Sequence, residues 1–274
     1  MPPTLVLEPQ SDWVLDYDDD SCALRRAFGD GDIGAFLELR QFAPDDTIQF
    51  TAYSTDIGIT PHPAIYRADP DEAATASSVT YYVNFGEGGT GVQFQGDLRR
   101  SAERPQQPDT GWDPDQRAGR EREIDGISVY SGLDRPVTFA TGSLGSPMQA
   151  MRVCLDELLT HWNIDVAAHR TLNRRATPWR MERWIGQVRR VYPTRMLRDG
   201  EQAKLRVRLM VNEEGRASEC FVQSTIGDEG FEDEACEQLL DHARFEPALD
   251  AQNRPIRSFW TTSMIYTLAH GGRR

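Results

Sequence analysis

The stretch "AKLRVRLMV", residues 203–211, constrains this chain more than any other. Leu205, Val207, Leu209 and Val211 recur at every second position, the period of a strand with one buried face. "NEEG" follows and supplies a glycine able to take positive φ, so "RASECFVQST" reads as the returning antiparallel strand. Next comes "GFEDEACEQLLDHARF", a helix whose acidic first turn complements its dipole. Ala235, Leu239 and Ala243 face inward, with Leu240 beside them. In "ARFEPALDAQNRPI" Phe245 is expected to plug the helix end onto the sheet, Pro247 to stop the helix, and "DAQNRP" to turn the chain into a last strand, "RSFWTTSMIYTL".

The chain has 274 residues, 39% hydrophobic and 27% charged, a balance that suits a globular protein with a real core. Its net charge of −13 argues against a basic surface for nucleic acid or anionic membrane. Lys204 is the single lysine, which weakens any catalytic-lysine proposal. No apolar run approaches the roughly 20 residues that span a bilayer. No basic-then-apolar leader opens the chain, and "MPPTLVLEPQSDW" is compatible with a start left after a leader's removal.

Residues 1–140 look β-rich. "AFLELRQF" and "TIQFTAY" alternate through Leu37, Leu39, Ile48, Phe50 and Ala52, with "APDD" as the turn between them. "SSVTYYVNF" with "GVQFQGDL", and "ISVY" with "PVTFAT", form two further pairs. Residues 99–123 are polar and rich in proline and charge, and read as a long exposed loop. "GSPMQAMRVCLDELLTHWNID" is the clearest helix: Ser146 is the expected N-cap, Pro147 its first residue and Asn163 its stop. Met151, Cys154, Leu155, Leu158, Leu159 and Trp162 make its apolar stripe. The segment from "RRATPWR" to "VYP" reads as a connector that packs its tryptophans onto a neighbour.

Catalytic and metal motifs fail on context. "GEGGTG" at 86–91 has the glycine spacing of a dinucleotide loop but is followed by a strand, not a helix, so it reads as a hairpin loop. "DTG" at 109–111 sits in a polar loop without a second triplet to share a proton. Asp16, Asp18 and Asp20 of "DYDDD" lack the glycine and distal glutamate of a calcium loop, and read with Asp30 as a solvated acidic face. His62, His161, His169, His242 and His270 show no metal-ligand or catalytic spacing. No nucleophile, base and orienting acid assemble, so no enzyme activity and no cofactor are expected.

Cys22, Cys154, Cys220 and Cys236 contain no C-x-x-C and suit two disulfides in an oxidising compartment, with four buried thiols as the alternative. Cys220 lies on the returning strand and Cys236 midway along the acidic helix. If that helix crosses the sheet, both point into one layer, and their bond would be worth on the order of 3 kcal/mol. Cys22 and Cys154 are then left to pair by elimination.

The run from "VYPTRMLRDGEQ" through the hairpin, the Ser224-Thr225 pair, "ARFEPA" and the terminal strand, about residues 190–269, resembles the TonB C-terminal domain family. The segment around "CALRRAFGDGD" and the Cys154 helix resemble upstream parts of alphaproteobacterial, especially sphingomonad, proteins that carry this domain. With the alternation and helix pattern above, the chain reads as α+β: a β-rich domain over 1–140, a bridging helix and connector over 141–183, and over 184–274, as the resemblance implies, a three-stranded antiparallel sheet packed with a helix. It also implies a non-enzymatic periplasmic protein. In the family, an extended segment of an outer-membrane transporter adds as a strand to the sheet's edge. The corresponding edge is the last strand: Ser258, Phe259, Trp260, Thr261, Thr262, Ser263 and Met264. A TonB-dependent transporter is the implied partner, and the other occupants of that edge would be the N-terminal domain or a second copy in a homodimer. Typical transducers have a membrane helix and a long proline-rich spacer. This chain as given shows neither, so the resemblance carries fold and peptide binding further than energy transduction. The alternative is an envelope assembly factor in which the TonB-like part is a scaffold.

Overall fold

The computed structural model describes residues 4–104 and 112–268. The "DTG" triplet and His270 lie outside the described residues. The chain forms two compact units, one ending at Leu158 and the other beginning at Leu159.

The first unit contains β1 (Leu5–Pro9), β2 (Val14–Asp18), β3 (Ser21–Asp30), β4 (Ile33–Gln41), β5 (Ile48–Ser54), β6 (Ile65–Asp69), β7 (Thr75–Ala76), β8 (Thr80–Asn84), β9 (Thr90–Gly96), α1 (Pro114–Glu123), β10 (Gly126–Ser131), β11 (Val137–Phe139) and most of α2 (Gly145–His161). Ten strands run in the order β7-β6-β10-β11-β1-β3-β4-β5-β9-β8, with β2 also on β3. β1 links the two halves: Leu5–Leu7 pair in parallel with β11, while Glu8 and Pro9 pair with β3. The alternation read from the sequence has its cause here. Leu37 faces Ala52 and Leu39 faces Phe50 across the β4–β5 ladder, and all four are fully buried. The inner faces of the halves meet through Phe28 against Phe139 at 5.3 Å and Tyr66 against Phe50 and Phe94 at 5.5 and 5.2 Å. The "GEGGTG" loop closes the β8–β9 hairpin. Asp16 and Asp18 stand on β2, ion-paired with Arg25 at 2.7 Å and Arg40 at 3.4 Å.

Residues 114–123 correct the sequence reading of a continuous loop over 99–123. They form α1, capped by Asp113, whose side chain accepts from Asp115 N and Gln116 N at 3.0 Å. The helix has no apolar stripe because it buries polar groups instead. Arg120 donates to the Leu98 and Ala68 carbonyls, and Glu121 accepts from Arg152 on α2 at 2.7 Å. Burial pushes the Glu121 carboxyl above its ordinary pKa, and Arg152 partly offsets this. The Asp-Pro pair at 113–114 was the available signal, since it combines an N-cap with a first-turn proline.

The predicted stripe of α2 is buried throughout. The helix begins at Gly145 rather than after Ser146, and Ser143 Oγ accepts from the Gly145 amide at 3.3 Å. It ends as expected at Asn163, whose φ is 56°. Asn163 N bonds Thr160 O and Ile164 N bonds Leu159 O, the paired closure of a Schellman turn.

The second unit contains α3 (Val166–Arg170), β12 (Thr177–Pro178), α4 (Met181–Val188), α5 (Thr194–Asp199), β13 (Ala203–Val211), β14 (Ala217–Gly227), α6 (Glu232–His242), β15 (Phe245–Glu246), β16 (Ala248–Leu249), β17 (Pro255–Ile256) and β18 (Ser258–Tyr266). Its main sheet is antiparallel, in the order β14-β13-β18, so the whole fold is α+β. Leu205, Val207, Leu209 and Val211 are buried in one cluster with Ala235 and Leu239 of α6 and Ala243 just beyond its end. Two expectations about "ARFEP" change. Helix α6 ends at His242, with Ala243 already extended, so Pro247 does not stop it. Phe245 is buried as expected, but it opens β15, which pairs with β12. Gly215 is required beneath it: its φ is +75°, and a Cβ there would sit 2.1 Å from the Phe245 carbonyl oxygen.

Candidate functional site

All seven residues singled out in the last strand lie on β18. The strand is paired with β13 along its full length, from Ser258 opposite Val211 to Tyr266 opposite Ala203. Among the described residues, no strand pairs with its other edge. A strand edge of this kind presents a row of backbone donors and acceptors.

Alternation divides the side chains. Trp260, Thr262, Met264 and Tyr266 lie opposite Leu209, Val207, Leu205 and Ala203, on the face that carries the core. Phe259, Thr261, Ser263 and Ile265 lie opposite Met210, Arg208, Arg206 and Lys204, on the other face.

Aromatic contacts hold both ends of the strand. Near its start, Trp260 packs on Phe245 at 5.3 Å and on Trp184 at 6.5 Å. Phe259 meets Trp162 edge-on at 5.4 Å and stacks with His169 at 5.3 Å. At its end, Tyr266 stacks on Phe231 at 4.6 Å and meets Tyr192 at 5.6 Å. Burial, aided by Glu234, pushes the Tyr266 hydroxyl up to about 12. The middle, Thr261–Ser263, is small and polar, and Ser263 is exposed.

Ser258 and Phe259 are buried, so their contribution at the edge is backbone only. Sequence reasoning missed Ile265, which is 63% exposed beside Ser263. It also missed the cation row beneath. Arg208 lies 3.8 Å from the centroid of Trp162 and 4.4 Å from that of Phe221. The signal was visible as the polar half of "AKLRVRLMV", in which Lys204, Arg206 and Arg208 alternate with the buried apolar set.

Both cysteine pairs are bonded. Cys220 on β14 joins Cys236 on α6, and Cys22 on β3 joins Cys154 on α2. The first bond fastens α6 to the edge opposite β18. Among the described residues, no group of three or more His, Cys, Asp or Glu side chains is placed to hold a metal. No described helix is long and apolar enough to cross a membrane.

The fold and edge define a class: a small α+β domain of three antiparallel strands, closed on one face by a helix, with its terminal strand at the rim. Residues 188–268 match the family model for the Gram-negative bacterial TonB protein C-terminal. The match lies wholly within the second unit and covers less than a third of the chain. No curated protein matches the chain.

Proposed function

We propose that this is a periplasmic protein whose second unit captures an extended segment of an envelope partner, such as an outer-membrane transporter, by adding it as a strand to β18. The observation that carries the reading is a nine-residue strand laddered on one side and anchored by aromatics at both ends. An incoming backbone then meets a pre-ordered edge, which cuts the entropy cost of binding. Thr261, Thr262 and Ser263 make little steric demand on the guest's side chains. Transport energy transduction is the family-level role that this capture would serve.

A photo-cross-linking residue at Ser263 tests the reading in envelope extract of a Gram-negative host, with Ser224 on β14 as the control position. Adducts from Ser263 that contain an extended segment of another envelope protein are expected. Adducts only between copies of this chain, or equal yields from both positions, would sink it.

The second reading makes the TonB-like unit a fixed scaffold and gives specificity to the first unit. It is favoured by the large β-rich unit outside the family match. Partner capture that survives blocking of β18 would select it.

A further inference from the structure

The outer face of the first unit's sheet carries an aromatic wall beside a cavity. Phe36 stacks on Tyr53 at 5.0 Å with 11° between the planes, and Tyr53 packs against Phe85 at 4.7 Å. Phe36 and Phe85 are 43% and 48% exposed. In the ladders, Phe36 has Tyr53 opposite it on β5 and Ala27 opposite it on β3. The ring face turned away from Tyr53 therefore lies over a methyl group. Two pairs nearer the hairpin, on the same face, Gly34 faces Gly29; the Gln10 side chain lies over Gly29, and the space above Gly34 is open. A cavity of about 300 Å³ occupies this space, bordered by Phe36, Ala27, Gly29, Gly34 and Gln10.

Gln10 lines the cavity, and Asp56 stands beside it next to Gly34. The Gln10 backbone N–H donates to the Ala27 carbonyl at 2.9 Å, which holds the main chain there and leaves the side-chain amide over Gly29. Asp56 Oδ2 accepts from the Gly34 amide at 3.0 Å and is 3.9 Å from the place a Gly34 Cβ would occupy. A carboxylate has about four acceptor sites, so Asp56 retains capacity for a ligand hydroxyl.

We propose that this cavity binds one pyranose ring of a neutral oligosaccharide, stacked on Phe36 with its hydroxyls held by Gln10 and Asp56. A pyranose with equatorial hydroxyls has a face of C–H bonds and a hydroxyl rim. The C–H face suits the negative face of an aromatic ring, and the rim suits an amide and a carboxylate. Tyr53 and Phe85 buttress Phe36, so the wall is set before the ligand arrives. Charge selects a neutral ligand. Asp56 is anionic, the nearby Arg25 and Arg40 both engage Glu38 at 2.6 and 3.0 Å, and the chain as a whole carries −13. A prolyl or aromatic side chain from a protein would use the wall but not the polar margin.

The test is an amide-shift titration of the full chain by NMR, with chitotetraose, cellotetraose and a proline-rich peptide as separate arms. Saturable shifts centred on Gln10, Ala27, Gly34 and Phe36 are expected with at least one tetrasaccharide. Phe36→Ala should weaken that binding roughly five- to tenfold, the weight of one lost ring contact. Gly34→Leu, which fills the cavity from a position with room for a Cβ, should abolish it while the remaining spectrum is kept. The proposal is overturned by the absence of saturable shifts with both sugars, by sugar binding that Gly34→Leu leaves intact, or by shifts at these residues with the peptide alone.

Discussion

Lys204 sits on the central strand of the terminal sheet, opposite Ile226 on one side and Ile265 on the other. Burial, with Arg206 adding repulsion, lowers its pKa from 10.5 to about 8. The folded state therefore disfavours the ammonium, and the unfolded chain holds more protons between these two values. Stability should rise with pH across that window, with the cost of the charge fully present below pH 8. Lys204→Met should accordingly stabilise the protein at pH 7 by about 1 kcal/mol, discounted for the side chain's partial exposure. In denaturant titrations the gain over the parent should shrink as pH rises towards 10.5. Glu38 is the opposite case. Burial opposes its charge, but hydrogen bonds from Arg40 and Arg25 outweigh that and hold its pKa below 4.5. Its stabilisation is present above the unfolded pKa and lost as pH falls through the folded one. Glu38→Gln should cost about 1–2 kcal/mol at pH 7, and the difference from the parent should close in acid. Both residues were plain in composition, but neither burial was legible, because each depends on which strands flank it.

At the scale of elements, what could be read was periodicity. The β4–β5 alternation, the β13–β14 hairpin and the stripe of α2 all follow from one-sided burial, which leaves a repeat in the sequence. Helix α1 left only its Asp113-Pro114 start as a signal, because its buried residues are Arg120 and Glu121 and a charge satisfied by a carbonyl or a partner leaves no repeat. β3 was passed over for a related reason. Its buried Ser21, Cys22, Ala23 and Leu24 run consecutively rather than alternating. Of the candidate edge, the strand was legible, and so was the packing of the connector's tryptophans, of which Trp184 meets Trp260; the roles of Trp162, Tyr192 and Phe231 were not, since these residues are distant in the chain. The disulfides give an element-level prediction. Cys220 and Cys236 are 16 residues apart, and Cys22 and Cys154 are 132 apart. In the loop-entropy picture their removal should cost about 3 and 5 kcal/mol respectively. Thermal melts of the two paired Cys→Ser variants should show the larger loss for Cys22→Ser with Cys154→Ser. Equal losses would mean that local packing, not loop closure, sets their worth.

At the scale of the whole molecule, acidity is the dominant property. With a net charge of −13 and a pI near 4.9, mutual repulsion should keep the protein dispersed at neutral pH. Turbidity should peak near pH 4.9 and fall again on either side. The overall path of the first unit was beyond sequence reasoning. β1 splits its pairing between β3 and β11, and a pairing across more than a hundred residues leaves no local mark. The acids of "DYDDD" show the same limit. Their spacing suggested either a cation site or a solvated face, and only the fold brings Arg25 and Arg40 across from neighbouring strands.

The two sulfur bridges join the first cysteine to the second and the third to the fourth. A chain threaded through a translocation channel from its amino terminus would present them in that same sequence. An oxidant acting on each newly emerged thiol would then meet only the correct partner, because the first pair is closed before the third cysteine appears. Maturation by this route needs an oxidase but no reshuffling of wrong pairs. Export into a host lacking its disulfide isomerase should therefore yield as much native protein as export into the parent strain. Refolding of the full reduced chain, where all four thiols compete at once, should depend on the isomerase.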